Sequence, residues 1–110
     1  MNRDEPFPPR VSVLIPVYNR EVYIETCVRS AMRQTVRNIE IVIVDNASTD
    51  GTWPILERLA AEDRRIRIFR NERNLGAVPN WRRCMEEARA PIGKLLFSDD
   101  TIQQDYLERT

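Results

Sequence analysis

Histidine is absent from this 110-residue chain, which removes the usual general base of serine and cysteine nucleophile systems and the commonest zinc ligand. Any acid–base or metal chemistry therefore rests on carboxylates. Glycine occurs only three times, and the turn after the first apolar run, Pro16-Val17-Tyr18-Asn19-Arg20, has none, which disfavours a dinucleotide-binding fingerprint. The one Gly-Lys pair, Gly93-Lys94, is followed by Leu95, which excludes a P-loop. The two cysteines, Cys27 and Cys84, are far apart on apolar helical stripes and are expected as small buried hydrophobes, not as a disulfide. Seventeen basic residues balance seventeen acidic ones, so no net field draws the chain to nucleic acid or anionic lipid. No apolar stretch approaches the roughly 20 residues needed to span a bilayer. The segment Met1 to Arg10 lacks the apolar middle of a signal peptide, and the expected location is the cytoplasm, including the cytoplasmic face of a membrane.

Against these absences stand three apolar runs that each stop in polar groups: Val11 to Ile15 before Pro16-Val17-Tyr18-Asn19, Ile41 to Val44 before Asp45-Asn46, and Leu95 to Phe97 before Ser98-Asp99-Asp100. Continuous β-branched runs read as parallel strands buried on both faces, and ligands of such sheets bind beyond the strands' carboxyl ends. Residues 1–10, with three prolines, read as a flexible tail. From Glu21 onward, Ile24, Cys27, Val28, Ala31 and Met32 keep helical spacing, as do Ile55, Leu56, Leu59 and Ala60 between Trp53 and Glu62. Thr52 is expected to cap this second helix. A strand over 39–44, a short edge strand around Ile66 and Ile68, and a last strand over 94–97 complete the sheet. Trp81, Cys84, Met85 and Ala88 form a third helical stripe, with Trp81 and Met85 expected in the core. Asp105 to Leu107 read as the opening of a further helix. The order β-α-β-α-β-α-β predicts an open, mostly parallel, twisted α/β sheet with helices on both faces, in an incomplete version, since the chain is short for an α/β enzyme with its own acceptor site.

Asp45 at the second strand end, with Asp99 and Asp100 at the fourth, offers ligands for a hard cation or acceptors for a sugar or base. The same residues equally suit helix caps and turns. Tyr18 offers a flat face for a nucleobase or is a half-buried rim residue. Arg64, Arg65, Arg67, Arg70 and Arg73 could meet a diphosphate or form a solvated face.

Four ordered blocks carry a resemblance: Val13-Leu14-Ile15-Pro16-Val17-Tyr18-Asn19, then Ile43-Val44-Asp45-Asn46-Ala47-Ser48-Thr49-Asp50-Gly51-Thr52, then Asn74-Leu75-Gly76, then Phe97-Ser98-Asp99-Asp100. Together they are similar to the signature of family 2 glycosyltransferases over residues 11–110, the nucleotide-sugar-binding portion of that family's GT-A fold. The resemblance implies transfer of a sugar, with inversion, from a nucleotide diphosphate donor such as a UDP- or dTDP-sugar to a hydroxyl of a saccharide or lipid-linked acceptor, in bacterial cell-surface polysaccharide synthesis. It implies that Pro16, Val17 and Tyr18 line the base pocket and that Asp45 and Asn46 reach the base edge. Asp99 is implied near the ribose and metal, with Asp100 as the firmest ligand of Mg²⁺ or Mn²⁺. The general base and the acceptor pocket are expected beyond Thr110, so these 110 residues are expected to transfer no sugar alone.

Two departures from the family pattern bear on the donor. Asn46 stands where many members have a second acid, and Ser98 where many have an aspartate. A non-catalytic nucleotide-binding module is the alternative. A phosphoacceptor receiver domain is disfavoured, because its late-strand lysine belongs at a strand end and Lys94 is expected to open its strand.

Overall fold

The computed structural model describes residues 9–35 and 37–97. The elements run β1 (Val11–Val17), α1 (Ile24–Met32), β2 (Ile39–Asp45), α2 (Thr52–Glu62), β3 (Ile66–Arg70), α3 (Ala77–Glu87) and β4 (Ile92–Leu95). The strands form one sheet in the order β3-β2-β1-β4, and every pairing is parallel. The chain winds outward from β1 through β2 to β3 and then returns to the far side of β1 for β4. That reversal makes a topological switch point at the carboxyl ends of β1 and β4, where open α/β sheets form their ligand crevice.

Alternation along the strands sends residues to two faces. Val13, Ile15, Ile41 and Ile43 meet Ile24, Val28, Leu56 and Leu59 of α1 and α2, all at or below 1% exposure. The opposite face is smaller: Leu14, Val42 and Val44 pack with Cys84 of α3, flanked by Phe69 and Ala88. Helices therefore cover both faces, as the element order predicts. Both cysteines are buried thiols, and burial pushes the Cys84 thiol up to about 12.

Toward the amino ends of the strands the second face turns polar around Glu40, whose side chain is 3% exposed. Its carboxylate accepts from the Ser12 hydroxyl, the Arg89 amide, Arg67 Nη1 at 2.9 Å and Arg89 Nε at 3.1 Å. Ser12 in turn accepts from the Ala90 amide. Burial alone raises a carboxyl pKa, but these donors favour the charged form and hold Glu40 below its ordinary value. This staple ties β1, β2, β3 and the α3–β4 connection at the end of the sheet remote from the crevice.

Several boundaries differ from the sequence expectation. The last strand occupies 92–95 instead of 94–97, because Ile92 and Gly93 pair with Val11 and Ser12; a Cβ on Gly93 would sit 3.3 Å from Leu14 Cδ1, a close approach that suits glycine within a strand. Lys94 accordingly lies inside the strand. Thr52 is the first residue of α2 and does not cap it; the flanking residue is Gly51, and the Asp50 carboxylate accepts the Thr52 amide at 2.9 Å. Arg10 donates its amide to the Asn38 carbonyl and Pro9 is buried, whereas the rest of the expected tail, residues 1–8, lies outside the described residues. So do Ser98, Asp99, Asp100 and the expected helix at 105–107.

Candidate functional site

The loop after β1 and the loop after β2 are stitched together side chain to backbone. Asn19, in the left-handed region at φ 50°, accepts the Thr49 amide at 2.8 Å through Oδ1 and donates its own amide to Ser48 Oγ at 2.8 Å. The Arg20 amide donates to Thr52 Oγ1 at 2.9 Å, and the Gly51 amide to Glu21 Oε2 at 3.0 Å. The block Asp45 to Thr52 is thus mostly loop architecture: short polar side chains satisfy backbone groups that the turn leaves unpaired. Ala47 holds φ 62° inside it, a conformation costing on the order of 1–3 kcal/mol for a residue with a Cβ.

Asp45 is fully buried. Its Oδ1 accepts from the amide and the hydroxyl of Ser48. Oδ2 is buried without a hydrogen bond, and Arg70 Nε stands 3.8 Å from it. A buried carboxylate oxygen lacking a donor is costly, so it marks an unused acceptor. Being fully buried beside a guanidinium, that oxygen is poorly placed to hold a metal cation.

Asn46 has every hydrogen-bonding position of its amide engaged. Nδ2 donates to Asn74 Oδ1 at 2.9 Å and to the Gly76 carbonyl at 3.2 Å; Oδ1 accepts from Asn71 Nδ2 and the Leu75 amide, each at 2.9 Å. Two donors and two acceptor sites exhaust a carboxamide. The network continues from Asn71 to Asn80 at 2.8 Å, and from Asn80 Nδ2 to the Val44 carbonyl at 3.2 Å. Asn46 therefore shapes the loop that leads into α3.

Between these loops and α3 lies a hollow of about 520 Å³, within the usual range for small-ligand sites. Pro16, Val17, Tyr18 and Asn46 line it, joined by Arg20, Ala77, Val78, Asn80, Trp81 and Phe97. It opens at the switch point. Four of the sequence-predicted residues are thus brought together; Asp45 lies buried and is not among the lining residues, and Asp99 and Asp100 fall outside the described residues. Among the described residues no three His, Cys, Asp or Glu side chains gather to hold a metal.

Trp81 and Met85 correct the sequence expectation: they are 41% and 48% exposed. The buried face of α3 is instead Asn80 and Cys84. An apolar stripe count misses this, because the residue seated against β2 is an asparagine whose amide is satisfied there. Of the arginine cluster, Arg65 pairs with Asp63 and Arg67 with Glu40. Arg70 donates to the Ser48 carbonyl and lies 5.4 Å above the Trp53 ring, and Arg70 and Arg73 line a separate hollow of about 590 Å³ with Arg83.

Comparison with known proteins agrees with this geometry. Residues 12–110 match the family described as Glycosyl transferase family 2. EpsH of Bacillus subtilis (strain 168), whose name classes it as a glycosyltransferase, is 43% identical over 102 residues, which cover 92% of this chain and 29% of EpsH. The structure of TarS 1-349 from S. aureus in complex with UDP superposes with a TM-score of 0.84 at 28% identity, over 91% of this chain and 30% of that one. The mannosyltransferase PcManGT from Pyrobaculum calidifontis, in complex with GDP-Man and Mn²⁺, superposes with a TM-score of 0.78 at 26% identity, over 89% of this chain and 30% of that one. The chain thus spans about a third of the length of these proteins. No helix among the described residues is long and apolar enough to cross a membrane. A parallel α/β sheet of GT-A type, with its hollow at the switch point and residues 12–110 matching throughout, identifies the chain as a member of glycosyl transferase family 2.

Proposed function

We propose that this chain supplies the donor-binding half of an inverting glycosyltransferase, taking a nucleotide diphosphate-sugar into the hollow at the ends of β1 and β2. The observation that carries the reading is the gathering of Pro16, Val17, Tyr18 and Asn46 around one hollow at the switch point, with a UDP complex and a GDP-Man complex among the structural neighbours. Pro16 and Val17 form the floor, and Tyr18, 40% exposed, offers its ring to the base. Asp45 is buried off the lining and acts through the loop, its Oδ1 holding the amide and hydroxyl of Ser48; Asn46 acts by fixing the wall. UDP and dTDP donors both suit this arrangement.

Asp99 and Asp100 are the proposed holders of Mg²⁺ or Mn²⁺, a cation that offsets charge on the departing diphosphate when bound. One or two carboxylates with substrate phosphates suffice for such ions. The remaining charge in the described hollow is Arg20, whose Nη1 donates to the Asn19 carbonyl at 3.3 Å and leaves its other donors for phosphate oxygens. Inverting transfer also needs a base to take the acceptor proton; no described residue is assigned that role, and these 110 residues alone are expected to transfer no sugar.

Calorimetric titration of UDP and of dTDP, with and without Mn²⁺, tests the reading. Weak binding with a metal-dependent increment that Asp100→Ala abolishes supports it. Equal binding by the variant removes Asp100 from the metal site, and sugar transfer by the 110 residues alone overturns the division into halves.

A further inference from the structure

The largest side chain on the hollow is one that neither the motifs nor the helical stripe assign to it. Trp81 is the fifth residue of α3 and is 41% exposed in a helix that packs on the sheet. Its neighbour fixes its direction. Asn80 is 3% exposed, donates to the Val44 carbonyl and accepts from Asn71, so the first turns of α3 are pinned to β2 by a satisfied polar anchor. One residue further on, a helix has turned by roughly 100°, which carries the indole off the sheet and onto the hollow it shares with Tyr18 and Phe97.

What the other lining groups can offer a ligand is limited. Asn46 has spent all four hydrogen-bonding positions on Asn71, Asn74, Leu75 and Gly76. Asn80, only 3% exposed, turns its amide to Asn71 and the Val44 carbonyl. Edge recognition is thereby thin, while flat aromatic area is plentiful, and aromatic faces bind bases through stacking that every base can satisfy.

We propose that Trp81 is the stacking wall of the base pocket, holding a nucleotide by the fit of a planar base and not by amide readout. This rests on the donor-binding reading above. The base is the expected partner of the indole in preference to the sugar or the phosphates, because a cationic side chain, Arg20, lines the same hollow and claims the anionic end. Binding then follows the area and placement of the base: pyrimidines that differ only at their edges, such as uracil and thymine, bind alike.

The test compares UDP with ribose 5-phosphate, which lacks a base, on the chain and on its Trp81→Ala and Trp81→Phe variants. Wild type is expected to bind UDP more tightly. Trp81→Ala should lose roughly 5- to 150-fold in UDP affinity, the span for one base–aromatic stack, with ribose 5-phosphate unchanged, and Trp81→Phe should recover most of the loss. In a Trp53→Phe background, where Trp81 is the remaining tryptophan, UDP should quench the emission and ribose 5-phosphate should not. This readout needs no variant at position 81. Binding of UDP by wild type with no dependence on Trp81, or a loss shared equally by the base-free ligand, overturns the stacking wall and leaves the donor reading standing. Failure of wild type to bind any nucleotide overturns both.

Discussion

Asn80 and Trp81 are adjacent in α3 yet face different surroundings: Asn80 is 3% exposed and donates to the Val44 carbonyl at 3.2 Å, while Trp81 is 41% exposed on the hollow. A buried polar residue thus sets the rotation of the helix. Asn80→Ala removes the second bond to the Val44 carbonyl, which also belongs to the β1–β2 ladder, and leaves one buried Asn71 amide proton without a partner, at about 1–3 kcal/mol for that orphaned group. Urea unfolding of the variant should show a midpoint lowered accordingly. An unchanged midpoint would mean that Cys84 alone seats the helix.

Asn46→Asp is a sharper probe, because an acid at this position is common in the resemblance the sequence carries. Here a carboxylate replaces two donors and would face Asn74 Oδ1 and the Gly76 carbonyl, both acceptors. The variant should be destabilised by about 1–3 kcal/mol, and the amide resonances of residues 74–76 should shift most. Stability equal to wild type would show that the loop does not depend on this amide.

Gly76 holds φ 91° and ψ 165° at the entrance to α3, a region open to glycine and strained for any residue with a Cβ. Space is not the constraint, since a Cβ would find only Pro79 Cδ at 3.8 Å. Gly76→Ala should therefore cost about 1–3 kcal/mol through the backbone alone, read as a lower thermal midpoint, and it should weaken UDP binding by displacing Ala77, Val78 and Trp81. A neutral Gly76→Ala variant would contradict the backbone assignment.

The acid side of the stability profile draws on Glu40, Asp50 and Asp63, all held below their ordinary values, alongside the partly exposed Glu25, which Arg58 and Arg29 hold down to about 2. For the first three, burial opposes ionisation, and hydrogen-bond donors overcome it: Ser12, Arg89 and Arg67 for Glu40, Thr52 for Asp50, Arg65 for Asp63. Depressed native values mean that the unfolded chain binds more protons, so stability rises with pH through this window and is complete above the ordinary carboxylate range. It is lost as the pH falls below 4.5, the ordinary Glu value, toward the native one. Glu40→Gln should remove on the order of 2 kcal/mol at neutral pH, by leaving Arg67 and Arg89 short of a counter-charge, and should flatten the acid limb of a denaturation series. A variant with the wild-type slope would assign that limb to other carboxylates.

The sheet and its winding were legible because β1 and β2 are unbroken apolar runs and α1 and α2 keep strict apolar spacing. Edges and anchors were less so. The last strand begins at Ile92, two residues before the expected Lys94, because Gly93 lets the strand approach Leu14. The rotation of α3 does not follow from its apolar stripe because its sheet-facing anchor is Asn80, and polar anchoring leaves no mark in an apolar pattern; the recurrence of Asn71, Asn74 and Asn80 around Gly76 is the available signal. For the site, Pro16, Val17, Tyr18 and Asn46 were placed together, but Trp81 was assigned to the core. Residue types alone do not say that Asn46 spends its amide inside the loop, since that depends on the distance to Asn74 and Gly76.

The central claim, that the hollow at the carboxyl ends of β1 and β2 receives a nucleotide, is tested most directly by titrating ¹⁵N-labelled chain with UDP and following its amide and indole resonances, which detect weak binding. Shifts should concentrate at Val17, Tyr18, Ala77, Val78 and the Trp81 indole and leave the Glu40 staple at the other end of the sheet unmoved. Shifts centred on Ser12, Glu40 and Arg89, or none at any UDP concentration, would contradict the account.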